Sequence, residues 1–104
     1  MSALLIPIDA DAACTRGHFP DHPIVPGAYL LDAVIRAIAA DIPVEVDQLM
    51  VESAKFPHPV LPGQCVALEY DAPRTTDAGL AVKFRAKVGE QAVIMGALTF
   101  GTVR

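Results

Sequence analysis

His18 and Asp32 are the two side chains whose types and setting suit acid–base chemistry. The histidine follows Gly17 in the stretch Arg16-Gly17-His18-Phe19-Pro20-Asp21-His22-Pro23-Ile24-Val25-Pro26-Gly27, which contains three prolines. Proline fixes φ, removes an N–H donor and biases the residue before it to an extended backbone, so this stretch reads as a stiff, non-helical loop. Pro26-Gly27 then opens an apolar run that reads as a helix, and Asp32 stands within it, fourteen positions after the histidine. A stiff loop carrying a histidine, run into a helix carrying a carboxyl, can hold a base and an acid at fixed separation. Spacing alone leaves a structural histidine and a solvated aspartate open. His18 and His22 also stand four residues apart, like two metal ligands on a helix, but Pro20 and Pro23 forbid that helix and no cysteine pair or third histidine is nearby, so no metal is expected.

The elements that must position these groups follow from the hydropathy pattern. Residues 3–8 read as a short strand and 9–26 as loop. Residues 27–40 read as a helix that is apolar nearly all round and is expected to be buried. From Val44 the pattern is β. Residues 45–56 form a strand, 57–63 a turn, and 65–71 a strand with Val66, Leu68 and Tyr70 on one face. Residues 73–79 read as a polar loop. Over 80–88, Leu80, Val82, Phe84, Ala86 and Val88 alternate with Ala81, Lys83, Arg85 and Lys87, the signature of a strand with one dry and one wet face. Gly89-Glu90 suits a tight hairpin. Residues 91–102 close the chain as a strand apolar on both faces, hence central or at an interface. One buried helix and several antiparallel strands make an α+β domain with the sheet wrapped around the helix.

Composition narrows the class. At 104 residues the chain is a single domain, 1–104. Its 53% hydrophobic and 19% charged content is rich for a small monomer and points to an oligomer interface. A net charge of −4 argues against nucleic acid. Cys14 and Cys65 have no motif spacing and suit reduced thiols, although a bridge between them stays open. Leu4-Leu5-Ile6 is too short for a signal or a membrane span, so the cytoplasm is the expected location.

The register of Gly17, His18, Phe19, Pro20, Pro23, Pro26, Gly27, Asp32 and Ala33 resembles the active-site signature of the beta-hydroxyacyl-ACP dehydratases, which have the hotdog fold. A second block, Ala54-Lys55-Phe56 followed by Pro59-Val60-Leu61-Pro62-Gly63, is similar to that family's later segment, and the two blocks together carry the resemblance over about residues 3 to 103. The longer members carry a leading segment that this sequence lacks.

The resemblance implies elimination of water from a 3-hydroxyacyl thioester. That reaction needs a base for the proton beside the carbonyl, an acid for the departing hydroxyl and a donor to the thioester oxyanion. His18 is implied as base, its imidazole titrating near neutrality. Asp32 is implied as acid, its protonated form favoured by desolvation on an apolar helix. The backbone N–H of Gly27, free at the helix start, is implied as donor to the carbonyl. The carbonyl of Ile24 is the implied partner orienting His18. Phe19, Pro26 and Arg36 complete the expected substrate-contacting set. No cofactor is implied. The partners implied are an acyl carrier protein or coenzyme A thioester and a second subunit, identical or a related hotdog chain, with histidine and acid meeting across the interface. Asp32 stands where many members have Glu, as in a branch some of whose members also shift the double bond.

Two departures matter. Arg36 replaces the common Gln four residues after the acid, the favourable spacing for a helix ion pair. Paired inside the site it would oppose proton donation by Asp32, so a position away from Asp32 is the expectation. Pro57-His58 stand where basic residues often follow Lys-Phe, which removes one expected carrier-protein patch. Lys83, Arg85, Lys87 and Arg104 are the alternative, and the first three equally suit a plain solvated sheet face. A non-catalytic partner subunit and an acyl thioesterase are the competing functions.

Overall fold

A computed structural model of the chain describes residues 3–8 and 25–103. Six strands form one antiparallel sheet: β1 (Leu4–Pro7), β2 (Val44–Lys55), β3 (Cys65–Tyr70), β4 (Arg74–Thr76), β5 (Gly79–Val88) and β6 (Gln91–Val103). The order is β1-β3-β5-β6-β2, with the short β4 paired to β5. The single helix among the described residues, α1 (Gly27–Asp41), packs on the inner face.

The helix starts where Pro26, extended at φ −59 and ψ 143, hands over to Gly27. Its first turn closes through the Leu30 N–H to the Pro26 carbonyl at 3.1 Å. It stops at Ile42, whose N–H still reaches the Ile38 carbonyl but whose extended backbone is the one that Pro43 requires. Fifteen residues make a rod of about 22 Å. Only one stripe of it is buried: Leu30, Val34 and Ile38, spaced four apart. The expectation of a helix buried all round is therefore corrected. Ala28, Asp32, Arg36 and Ala40 face outward in this chain. Each buried side chain of the stripe contributes about 1.5–3 kcal/mol. They meet Val66, Leu68, Val82, Phe84, Ile94, Leu98 and Phe100 from the sheet.

β5 follows its pattern, with Val82, Phe84 and Ala86 buried and Lys83 and Lys87 exposed. The hairpin turns through Gly89 at φ 60 between Val88 and Gln91, a left-handed geometry that glycine adopts without penalty. β6 hides Val93 and Ile94 together because a bulge interrupts the ladder: Ala86 faces Ile94, but Lys87 faces Ala92, and Val93 is the extra residue. The polar segment 73–79 is not all loop. Arg74–Thr76 pairs with Gly79–Ala81 as β4, a three-residue strand too short to leave an alternating pattern.

β2 lies at an edge, paired only with β6 among the described residues, and leaves Val46, Met50 and Val51 exposed at 51%, 54% and 42%. Two register shifts, between Glu45 and Leu49 and between Val51 and Ser53, bend it. The two-sided apolar character expected to mark an interface thus falls on β2 as well as on β6. Cys65 carries a free thiol, and Cys14 lies outside the described residues.

The helix C-terminus is tied to the sheet by Tyr70, whose hydroxyl donates to Asp41 Oδ2. Partial burial and that carboxylate push the phenol up to about 12. A phenol held above its unfolded value of 10 stabilises the fold fully below pH 10, and that stabilisation is lost as pH rises through about 12. Tyr70→Phe is expected to lose about 1 kcal/mol in urea unfolding at neutral pH. The gap to wild type should stay flat up to pH 10 and close above it. A gap that does not change through this window would separate Tyr70 ionisation from stability.

Candidate active site

The two sequence blocks meet in space at the start of α1. The Val25 N–H donates to the Val60 carbonyl at 2.7 Å, which joins the end of the proline loop to the second block. The Phe56 ring lies over Gly27: a Cβ added there would stand 3.2 Å from Cε1 and Cζ of the ring. Glycine at position 27 is therefore the residue that lets an aromatic ring close over the helix start.

A cavity of about 370 Å³ opens at this junction. Val25, Gly27 and Leu30 line it from the first block, Phe56, His58, Pro59 and Val60 from the second, and Val93 from the β6 bulge. Among the described residues that line it, every side chain but the His58 imidazole is hydrocarbon, and Gly27 contributes only backbone. His58 sits between Pro57 and Pro59 and places Nδ1 3.0 Å from the Ala92 carbonyl oxygen. Neither Phe56 nor His58 was singled out from the sequence as a site residue. The signal was the second block itself, which marks the segment without saying which of its side chains border a cavity.

Asp32 and Arg36 lie elsewhere. At about 100° per residue, Asp32 is rotated about 140° around the helix from Gly27, away from the buried stripe. Their side chains are 58% and 77% exposed. Arg36 does not point away from the acid as expected: its Nε donates to Asp32 Oδ2 at 2.7 Å. That hydrogen bond, with the charge beside it, raises the guanidinium above its ordinary value. The desolvation anticipated around Asp32 is not supplied by this chain. One chain thus presents an apolar cavity headed by Gly27 on one side of α1 and a solvated carboxylate–guanidinium pair on the other. Pro26 is the helix cap. His18, Phe19 and Ile24 lie outside the described residues.

On the outer sheet face, Arg85 is engaged by Asp71 at 3.1 Å and Glu69 at 3.6 Å. Lys83 and Lys87 flank it, exposed, which is the plain charged face of a half-wet sheet. Arg104 lies outside the described residues. No helix among the described residues is long and apolar enough to cross a membrane.

Comparison with known proteins agrees with this architecture. The model of the ApeI-like family, described as ApeI dehydratase, matches residues 2–97. A 3-hydroxyacyl-[acyl-carrier-protein] dehydratase FabZ of Koribacter versatilis is 36% identical over 84 residues, 73% of this chain and 54% of that protein. The FabZ of Chlamydia muridarum is 34% identical over 97 residues, 85% of this chain and 63% of that protein. The chain therefore spans between half and two thirds of these relatives' length. Among solved structures, the dehydratase heterocomplex ApeI:P from Xenorhabdus doucetiae superposes with a TM-score of 0.69 at 23% identity, covering 98% of this chain and 86% of that one. A point mutant of the fluoroacetyl-CoA-specific thioesterase FlK superposes with a TM-score of 0.67 at 13% identity, covering 95% and 87%. These two likenesses establish the fold, a sheet wrapped around one helix. With its family model spanning nearly the whole chain and both motif blocks meeting at the helix start, this hotdog protein belongs to the ApeI-like dehydratase family.

Proposed function

We propose that the chain eliminates water from a 3-hydroxyacyl thioester, carried on acyl carrier protein or coenzyme A, to give the trans-2-enoyl thioester. The observation that carries this reading is the apolar cavity headed by the Gly27 backbone and lined from both motif blocks. The thioester carbonyl lies against the Gly27 N–H, at the positive end of the helix dipole. His18, oriented by the Ile24 carbonyl, takes the proton from the carbon beside the carbonyl. The electron pair moves through the oxyanion and expels the hydroxyl, which leaves as water with a proton from Asp32. Phe19 and Pro26 border the substrate, and Arg36 tunes the acid.

Asp32 points away from its own chain's cavity, so it serves the cavity of a second subunit. The exposed edge of β2, with Val46, Met50 and Val51, is the surface along which that subunit pairs, whether a copy or a related hotdog chain. Burial in this assembly supplies Asp32 with the dry environment that proton donation needs. The reading puts the protein in the cytoplasm, where acyl carrier protein and coenzyme A thioesters are made. Thioester hydrolysis is the competing reading on this fold.

Incubation with a 3-hydroxybutyryl thioester is expected to raise the ultraviolet absorbance of the conjugated enoyl product without releasing thiol. Thiol release alone would make the protein a thioesterase. His18→Ala and Asp32→Asn should each lower turnover by roughly 10²-fold or more with the fold intact. Either variant within a few-fold of wild type would remove that residue from the mechanism.

Arg36 donates to the Asp32 oxygen that the proposed reaction uses. Arg36→Gln, which removes that guanidinium, is expected to change kcat rather than KM. A matching thermal melt checks that the variant still folds and assembles. An unchanged kcat would leave the ion pair without a role in the reaction.

A further inference from the structure

Among the described residues, His58 is the one polar side chain on the wall of the Gly27 cavity, and the roles proposed above do not use it. Its setting is specific. Pro57 and Pro59 restrict the backbone on both sides. Nδ1 lies 3.0 Å from the Ala92 carbonyl oxygen, which has no hydrogen to give. Nδ1 must therefore carry the hydrogen and donate. In the neutral ring this leaves Nε2, on the far edge of the imidazole, as a lone-pair acceptor. A fixed acceptor on a hydrocarbon wall selects a ligand with an N–H or O–H donor at that place.

Exposure decides which donor. His58 is an exposed residue, as are Phe56, at 45%, and Pro59 beside it. These three form the mouth of the cavity, whereas Val60 and Val93, both about 1% exposed, form its depth. A thioester whose carbonyl sits at Gly27 sends its acyl group inward and its sulfur arm outward. The arm common to carrier-protein and coenzyme A thioesters carries amide N–H donors separated by short hydrocarbon segments. An acceptor flanked by two exposed apolar side chains matches that alternation.

We infer that His58 is a substrate-positioning residue whose Nε2 accepts a hydrogen bond from an amide N–H of the pantetheine arm, with Phe56 and Pro59 packing against the arm's hydrocarbon. This rests on the dehydratase reading of the same cavity and extends it from the reacting atoms to the handle that presents them.

The test is steady-state kinetics of wild type and His58→Ala with two 3-hydroxybutyryl thioesters, one of coenzyme A and one of ethanethiol, which has no amide. The expected result is a rise of about three- to tenfold in KM for the coenzyme A thioester, the scale of one hydrogen bond, with kcat held and little change for the ethyl thioester. Equal KM losses for both thioesters would place the contact on the acyl hydroxyl and overturn the inference. Unchanged kinetics for both would overturn it as well. His58→Gln, which keeps an acceptor and a donor, should recover part of the coenzyme A KM, and a matching thermal melt separates this from loss of the Ala92 anchor. If wild type itself dehydrates neither thioester, the dehydratase reading fails, a different result from an active wild type indifferent to His58.

Discussion

The rotation of α1 about its own axis is the constraint on which the remaining geometry depends. Leu30, Val34 and Ile38 form the only fully buried stripe of the helix, and the sheet beneath accepts them in one orientation. With about 100° between successive residues, that orientation fixes every other position. Gly27 is turned toward the second motif block, where Phe56 closes over it. Asp32 and Arg36 are turned to the opposite side. The separation of the Gly27 backbone from the Asp32 carboxylate is thus a consequence of burying three aliphatic side chains, and the proposed site, which uses both, must draw them from two chains.

The second determinant is the junction between blocks that are far apart in sequence. A hydrogen bond from Val25 to the Val60 carbonyl and the ring of Phe56 on Gly27 hold the helix start against the 57–63 turn. The turn is held in its own right by Gly63, at φ 90, whose N–H reaches the Ile8 carbonyl at 2.9 Å, and by the Gln64 side chain accepting from the Leu61 N–H. The turn that carries His58 is therefore pinned at several points, and with the Ala92 contact this fixes the imidazole beside the cavity.

Much of this was legible in the sequence. β5 announced itself by strict alternation, and α1 by its apolar run between Pro26 and Pro43. What the sequence hid has physical reasons. Alanines at 28, 33, 37, 39 and 40 are apolar in composition yet carry little side chain to bury, so a run that reads as dry on all sides has one buried stripe. β4 is too short to show a period. The adjacent burial of Val93 and Ile94 comes from a bulge, which breaks the two-residue rule by adding a residue. For the site, motif register located both blocks, but not that Phe56 and His58 border the cavity, since that depends on long-range packing against Gly27 and Ala92. Nor did spacing decide whether Arg36 would reach Asp32, because four-residue separation permits either arrangement.

The claim that matters most is that one active site is made by two chains, and subunit mixing tests it directly. His18→Ala and Asp32→Asn proteins, each nearly inactive, are combined and allowed to exchange subunits, with exchange confirmed by a tag on one of them. Random pairing puts one intact site in half of the dimers, so activity should recover to about a quarter of wild type. Activity that stays at the level of the separate variants after confirmed exchange would mean that base and acid act within one chain, and would contradict the division of α1 into two catalytic faces.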